Sequence, residues 1–564
     1  MDLLLPTPSS HFLVVPLGRH RSPFRAGVWR WGRLLLLALA TWPNAPSLAQ
    51  QLPPAKLWDH AYGGNGQDEP AALVPTTDGG CIVAGSSTSG VFGTHSQAAQ
   101  GARDYWLIKL SAQGVQQWDQ RFGGSGEDQL AVVRPTADGG YVLGGSSSTL
   151  YQDGDKSENN VGPRDFWVVK TTSTGQKVWD RSVGGGGNDQ LHDLLETADG
   201  GYLLAGETNG HGNGEYDFFL LKLSAAGTRE WSTRYGGTAH EELRIIRRTP
   251  DNGFLLAGTS ASPMGVGKTQ PSRGGQDYWV VKVNALGVKE WDRTYGGPND
   301  DVLSSLQLTP DGGFILGGTS TSGVGGEKSQ PSRGDKDMWV VKVNAAGSVD
   351  WDQRFGGNLE ENLTALHPVA GGYLLGGSSW SGSGGDKTQP NWGYCDYWLL
   401  RLDEQGNLVW EQRYGGESID RLNAIAQLAD GTCLLAGSSS SSGLPALGNK
   451  TQYNYGLVNF WVLKMAAVLP LKNLEPRWAT SLSVFPVPAS TSLQVALPAL
   501  PSPGPATLSL VDVLGRVVLV QPVPLPATQP QQLTLPVAHL PAGSYLLRVA
   551  VDGQVPLVRR VRLQ

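Results

Sequence analysis

Cysteine is nearly missing from this chain. Three residues in 564, an odd number, cannot build the disulfide framework of a small secreted domain. Charge is sparse as well: 17% of residues are charged, the net formal charge is -6, and no basic surplus points to nucleic acid as a partner. The apolar run near the N-terminus, Leu34 to Ala40, is far short of the ~20 residues a membrane-spanning helix requires. Little helix is predicted, and no Gly-x-Ser-x-Gly elbow precedes any. The nine histidines are scattered: His95, His192, His211, His240 and His367 fall at different places along the repeated part of the chain, with no HExxH or paired metal spacing. Carboxylates are numerous enough for a glycosidase pair, yet nothing in the pattern selects two of them. These absences weigh against an enzyme and leave no cofactor to expect, with calcium the one cation to consider.

What the chain has in quantity is glycine, 76 residues, and proline, 36, the composition of a turn-dense all-β protein. It has them in register. The stretch Asp277 to Gly297, DYWVVKVNALGVKEWDRTYGG, reads as a β-hairpin with its turn at Ala285 to Gly287. Copies of it place Trp58, Trp118, Trp179, Trp231, Trp291, Trp351 and Trp410 at intervals of 60, 61, 52, 60, 60 and 59, and such a period is the mark of a repeat architecture. After each Trp comes Gly-Gly, then a strand such as Leu130 to Thr136, a turn such as Ala137 to Gly140, and a second strand such as Tyr141 to Ser147. A variable loop leads to a third strand, as at Asp165 to Lys170. Four short strands in each of seven copies predict an all-β fold over 56–465, a seven-bladed β-propeller with four-stranded blades. The chain begins this pattern with a fourth strand, Lys56 to Tyr62, and ends it with a third, Phe460 to Met465. The N-terminal strand is therefore expected to close the last blade and leave no open edge.

The runs Asp199-Gly200-Gly201-Tyr202-Leu203-Leu204-Ala205-Gly206 and Asp104-Tyr105-Trp106-Leu107-Ile108-Lys109-Leu110 resemble the delta-60 type of secreted bacterial repeat, which supports the propeller and implies no particular chemistry. Beyond a Pro- and Leu-rich linker, 466–480, three ordered motifs follow: Phe485-Pro486-Val487-Pro488-Ala489, Leu510-Val511-Asp512-Val513-Leu514-Gly515-Arg516-Val517-Val518, and Leu540 to Val549, with a basic tail Arg559-Arg560-Val561-Arg562. Residues 481–564 thus resemble the type A C-terminal sorting domain of the type IX secretion system of Bacteroidota. Val487 stands where Asn is usual and Val511 where Tyr is usual. The resemblance implies a small Ig-like β-sandwich that engages the secretion machinery and is usually removed when the cargo is released or attached at the outer surface. Residues 1–49 fit that route as a signal peptide: Arg19, Arg21, Arg25, Arg30 and Arg33 precede the apolar run, and Ser47-Leu48-Ala49 is a small-x-small cleavage site. The expected location is secreted or outer-membrane surface after periplasmic transit.

Recurring and non-recurring positions divide the candidate sites. Four residues after the second glycine of each Gly-Gly stands an acid: Asp68, Asp128, Asp189, Glu241, Asp301, Glu361 and Asp420. These either ring a channel mouth, where a cation could sit, or cap a turn and meet an Arg such as Arg121, Arg234, Arg354 or Arg413. Structural repetition favours the second. Gly123 to Ala131 and Gly184 to His192 match the calcium nonapeptide, but that motif binds calcium between stacked turns nine residues apart, not ~60. The basic residue of each third strand, such as Lys109 or Arg401, suggests a blade-face ion pair. Cys81 and Cys433 share one blade position and read as small core residues, with Cys395 at a loop end and more exposed. The long loops of the sixth and seventh copies hold Trp380, Trp392, Tyr394, Tyr453 and Tyr455, which could stack on sugar rings or anchor a protein. The expectation is a noncatalytic binding or adhesion module for an extracellular glycan or protein. A polysaccharide-active propeller enzyme and a structural surface spacer are the alternatives.

Overall fold

The computed structural model describes residues 53–210, 215–265, 267–443 and 448–468, and in the C-terminal part 483–485, 489–497, 506–511, 517–523, 531–551 and 557–564. The expected signal peptide and most of the expected linker lie outside the described residues.

Second and third strands carry apolar residues on both faces and are almost wholly buried, as in Cys81–Ser87 and Asp104–Leu110. Fourth strands such as Gln116–Phe122 alternate, so they can sit at an edge. Asp68–Pro75, Cys81–Ser87, Asp104–Leu110 and Gln116–Phe122 form a four-stranded antiparallel sheet in that order, and five more sheets repeat it from Asp128, Asp189, Glu241, Asp301 and Glu361. A further sheet joins Asp420–Gln427, Cys433–Ser439 and Asn459–Met465 to Lys56–Tyr62 from the other end of the chain, with Lys56 opposite Met465 and Tyr62 opposite Phe460. The molecule is all-β, a β-propeller of repeated four-stranded antiparallel blades. First strands pack against first strands of the neighbouring sheets, the one at Asp420 against the one at Asp68.

All but one of the propeller sheets are pinned by a buried polar pair. The third-strand indole nitrogens of Trp106, Trp167, Trp279, Trp339 and Trp398 donate to Asp119, Asp180, Asp292, Asp352 and Glu411 of the fourth strand, at 2.6 to 3.2 Å. Trp461 makes the same bond, 3.0 Å, to Asp59 across the closure. In the remaining sheet both members change together, to Phe219 and Ser232. The third-strand base forms the blade-face ion pair expected of it, with Lys222 and Lys282 reaching Glu230 and Glu290 of the fourth strand at 3.1 and 3.0 Å. Lys109, Lys170, Lys222, Lys282 and Lys342 also reach the aspartate of the preceding hairpin turn, at 2.7 to 2.9 Å. These lysines hold Asp78 and Asp311 down at about 2. Where that turn lacks its aspartate, Arg401 donates instead to the carbonyls of Ala370, Tyr373 and Leu402.

Blade junctions bring carboxylates face to face. The acid opening each third strand, such as Asp165, Asp277 or Asp396, lies fully buried beside the acid opening the next first strand, Asp189, Asp301 or Asp420. Burial pushes Asp165, Asp277 and Asp396 up to about 6, and the facing carboxylate adds to it. Buried lysines from the long loops lie close by: Lys156, Lys268, Lys328, Lys387 and Lys450, with Lys268 and Lys328 over the rings of Trp279 and Trp339. Burial pushes Lys268, Lys328 and Lys450 down to about 8. At the closure the pair differs, since Asn459 replaces the first acid and its amide donates to Asp68 at 3.0 Å. A Cβ on the first glycine of a Gly-Gly, for example Gly296, would collide with the junction acid, here Asp277. That close approach is why glycine recurs there.

Cys81 and Cys433 are buried free thiols. Cys395, expected to be more exposed, is also buried, because its carbonyl accepts from the Asp420 N–H at 2.8 Å in the bridge between blades. In the hairpin turns Asn252 takes the left-handed position (φ 63°) that glycine holds in the other copies, as at Gly139 (φ 82°) and Gly312 (φ 81°). Asn252→Val should destabilise by about 1–2 kcal/mol and Asn252→Gly should be neutral or better, checked by denaturant midpoints.

The C-terminal part holds a three-stranded sheet, Ser483–Phe485, Ser492–Leu497 and Gln531–Pro536, and a four-stranded sheet ordered Val517–Pro522, Ala506–Val511, Gly543–Val551, Leu557–Leu563. Leu493, Val495 and Leu535 from the first share one core with Leu508, Leu547 and Val561 from the second.

Candidate functional site

The first strands surround a cavity of about 780 Å³ to which all seven sheets contribute. Its wall is not made by the seven recurring acids. Asp68, Asp128, Asp189, Glu241, Asp301, Glu361 and Asp420 are all fully buried. Each accepts the N–H of the second glycine of its own turn, Gly64, Gly124, Gly185, Gly237, Gly297, Gly357 or Gly416, at 2.6 to 2.8 Å. Ser87, Ser260 and Ser379 add hydroxyl bonds to Asp68, Glu241 and Glu361. Each acid thus spends one oxygen on capping its own turn. Burial pushes Asp128, Asp189, Asp301, Glu361 and Asp420 up. Burial raises Asp68 too, but hydrogen bonds from His95 and Ser87 outweigh it and leave that carboxyl below its ordinary value. The arginines expected to meet these acids go elsewhere: Arg121 lies 2.6 Å from Asp104, Arg354 3.6 Å from Asp337, Arg413 3.8 Å from Asp396, and Arg234 donates to the Gly210 carbonyl.

The side chains that do line the cavity stand one and three residues after each acid. One residue on are Glu69, Gln129, Gln190, Glu242, Val302, Asn362 and Arg421; three residues on are Ala71, Ala131, His192, Arg244, Ser304, Thr364 and Asn423. A β-bulge explains how both sets face inward. In every first strand the register shifts across the third residue, as between Leu191 and Asp193 or Leu243 and Ile245, and a bulge re-aims the extra side chain. These two columns break the repeat, whereas the acid beside them recurs in every copy. Four guanidinium groups, Arg103, Arg164, Arg244 and Arg421, and two carboxylates, Glu69 and Glu242, line the cavity. Arg103 donates to Glu69 at 2.7 Å, Arg244 pairs with Glu242, and Arg164 donates to Gln129 at 2.9 Å.

Of the five loop aromatics, Trp380 touches the site only through the cavity-lining Arg421, whose guanidinium stands 5.7 Å over its ring. Trp392 carries Arg413 at 4.1 Å and is about half exposed, and Tyr394, Tyr453 and Tyr455 are exposed, none of them lining the cavity. Among the described residues no ring contact joins any two of the five.

Two carboxylates and an imidazole gather in the cavity wall. His192, Glu207 and Glu242 place one potential ligand atom each within 4.8 Å of one another. Spacing along the chain hides this group, because its members are 15 and 35 residues apart. Alignment of the copies reveals it, since Glu207 occupies a column held elsewhere by Ser86, Ser146, Thr259, Thr319, Ser378 and Ser438.

Residues 483–561 match the family model described as the secretion system C-terminal sorting domain. The chain ends in a type IX sorting domain. The protein is therefore cargo of that system, exported to the cell surface or secreted. Among the described residues no helix is long and apolar enough to cross a membrane. The regulatory protein FlaEY of Caulobacter vibrioides is 25% identical over 255 residues, 41% of this chain, and the match spans about a quarter (26%) of that relative's length. Solved structures of similar shape include BBS1N (10% identity, TM-score 0.40, covering 74% of this chain and 98% of that one) and puromycin hydrolase (13%, 0.39, 77% and 59%). The Synechocystis apocarotenoid oxygenase follows at 10%, 0.35, 73% and 97%. None of these likenesses transfers a residue role.

Proposed function

We propose that this protein is a noncatalytic binding or adhesion module, secreted or held at the outer surface, whose ligand is an extracellular glycan bearing acidic groups. In this reading 56–465 is a seven-bladed propeller, 466–480 a linker, and 481–564 an Ig-like sorting domain removed after export, with 1–49 the signal peptide. The observation that carries it is the concentration of copy-to-copy difference on the cavity wall, where guanidinium groups outnumber carboxylates. Arg–carboxylate recognition is directional and strong, and the Trp380 ring under Arg421 helps hold that guanidinium in place. Against a glycosidase, the two lining carboxylates are each tied to an arginine, Arg103 on Glu69 and Arg244 on Glu242, leaving no free acid and base pair.

Full-length protein on a glycan array should bind uronic-acid or sulfated glycans, more weakly as salt rises. Arg421→Ala should weaken binding roughly tenfold, the worth of one charge-assisted hydrogen bond. Loss on Trp392→Ala but not Arg421→Ala would move the seat to the outer loops. No binding to any glycan would favour the spacer reading.

A further inference from the structure

The cavity wall between the third and fourth sheets, we infer, is a divalent transition-metal site formed by His192, Glu207 and Glu242. This does not rest on the glycan reading.

His192 and Glu242 face the cavity from neighbouring first strands, and Glu207 comes from the second strand of the third sheet. His192 is the bulged residue of its strand, so its ring is turned to the wall. Its Nε2 is buried and has no hydrogen-bond partner; the nearest carboxylate oxygen, Glu207 Oε1, is 3.8 Å away, too far for a hydrogen bond. Glu207 is 3% exposed, and its Oε2 is buried without a partner as well. A buried carboxylate oxygen and a buried imidazole nitrogen, both unsatisfied and aimed at the same place, cost stability unless something joins them. A cation does so.

The pattern of the copies points the same way. Where Glu207 stands, the other copies hold Ser or Thr, whose hydroxyl accepts an N–H from the next blade: Leu130 on Ser86, Leu191 on Ser146, Leu303 on Thr259, Leu422 on Ser378. The third sheet alone carries a carboxylate in that column, and it does so next to the one histidine in the column three residues after the acid.

The donor set also selects the ion. Imidazole nitrogen with two carboxylate oxygens suits Zn2+ and its first-row neighbours, whereas Ca2+ and Mg2+ take oxygen shells. In a tetrahedral shell with bonds of ~2.0–2.1 Å the ligand atoms stand about 3.3 Å apart, so modest side-chain rotations close the present group. Arg244 pairs with Glu242, as outer partners of ligating carboxylates do. Three protein ligands leave a coordination position open toward the cavity for water or an oxygen of a bound molecule.

The test uses full-length protein without a histidine tag, stripped with chelator, dialysed and titrated with Zn2+ by calorimetry, with metal content measured after desalting. The expected result is one Zn2+ per chain and no comparable Ca2+ binding. Glu207→Ser and His192→Ala install residues that other copies already hold at those positions, so the blades should fold. Each should weaken Zn2+ roughly a hundredfold, since even the outer partners of metal ligands are worth ~10–100-fold. Zinc should raise the melting temperature of the parent and not of the variants. Absence of stoichiometric Zn2+, or an affinity that both variants leave unchanged, overturns the assignment.

Discussion

The melting temperature should fall as the pH is raised from about 5 to about 7.5, by at least ~3 °C. Asp165, Asp277 and Asp396 titrate near 6 in the folded chain because they are buried at blade junctions, each opposite a second carboxylate. Unfolded, they titrate near 3.8. Between those values the folded state keeps protons that the unfolded state has released, so these groups favour folding below about 4 and lose that contribution as the pH passes 6. Burial raises Asp128, Asp189, Asp301, Glu361 and Asp420 in the same direction. Burial lowers His367, which opposes the trend as a single group. Lys268, Lys328 and Lys450 titrate near 8 and keep most of their charge over this range. A full unit is worth about 1.4 kcal/mol, but facing carboxylates share protons and do not add, so roughly 2–4 kcal/mol in sum is expected. Scanning calorimetry at three pH values measures it. Asp277→Asn should flatten the slope, since Asn459 already holds the equivalent place at the closure and donates to Asp68. A melting temperature that is flat or rising across the range would remove the carboxylate pairs from the account.

The second large effect should come from Asp59→Ala, at about 3–5 kcal/mol. Asp59 is buried in the strand that closes the propeller. Its carboxylate accepts from the Trp461 indole (3.0 Å), the Thr451 N–H (2.8 Å), the Thr451 hydroxyl (2.7 Å) and Lys56 (2.6 Å). Burial alone would raise its pKa, but the bonds from Lys56 and Thr451 more than offset that and hold it below the ordinary value. Truncation leaves a buried indole N–H and two further donors without acceptors, and removes the charged partner of a half-buried ammonium, which keeps only the Asn449 carbonyl. The molecule also shows how to repair the damage. Its third sheet carries Phe219 and Ser232 where the others carry Trp and an acid, so Asp59→Ser with Trp461→Phe should recover much of the loss. Urea unfolding of the single and double variants decides it: a single variant costing under ~1 kcal/mol, or a double no better than the single, would show that the pair does not hold the closure.

Most of the scaffold was legible in the residues because each copy repeats its own spacing. Tryptophan intervals, Gly-Gly turns and the split of one copy between the chain ends are one-dimensional signals, and the strand bounds and the closing register follow them. The cavity wall was not legible. Simple alternation assigns one face to a strand, and the bulge after Leu191 and its equivalents puts two residues out of three on the channel side. The recurring acids drew attention for their constancy, yet a residue needed in every blade is one that holds the blade, and their carboxylates turn to their own backbone. The informative positions were their variable neighbours. The long-loop lysines recur as a Lys-Ser/Thr-Gln run at Lys268, Lys328 and Lys387, visible in the sequence but without a sign that so polar a side chain would be buried. His192, Glu207 and Glu242 were hidden because ligands contributed by separate strands carry no fixed spacing.

The closing strand also sets an order of events. All the propeller sheets but one draw their strands from one contiguous stretch, so their contacts are local and can form early. The remaining sheet pairs Lys56 with Met465, and a contact that distant in sequence is slow to find because the entropy of closing so large a loop comes first. Folding should therefore pause before that sheet closes, at an intermediate in which Asn459–Met465 offers an unpaired edge. A free peptide copying Lys56–Tyr62 would compete for that edge during refolding and not afterward.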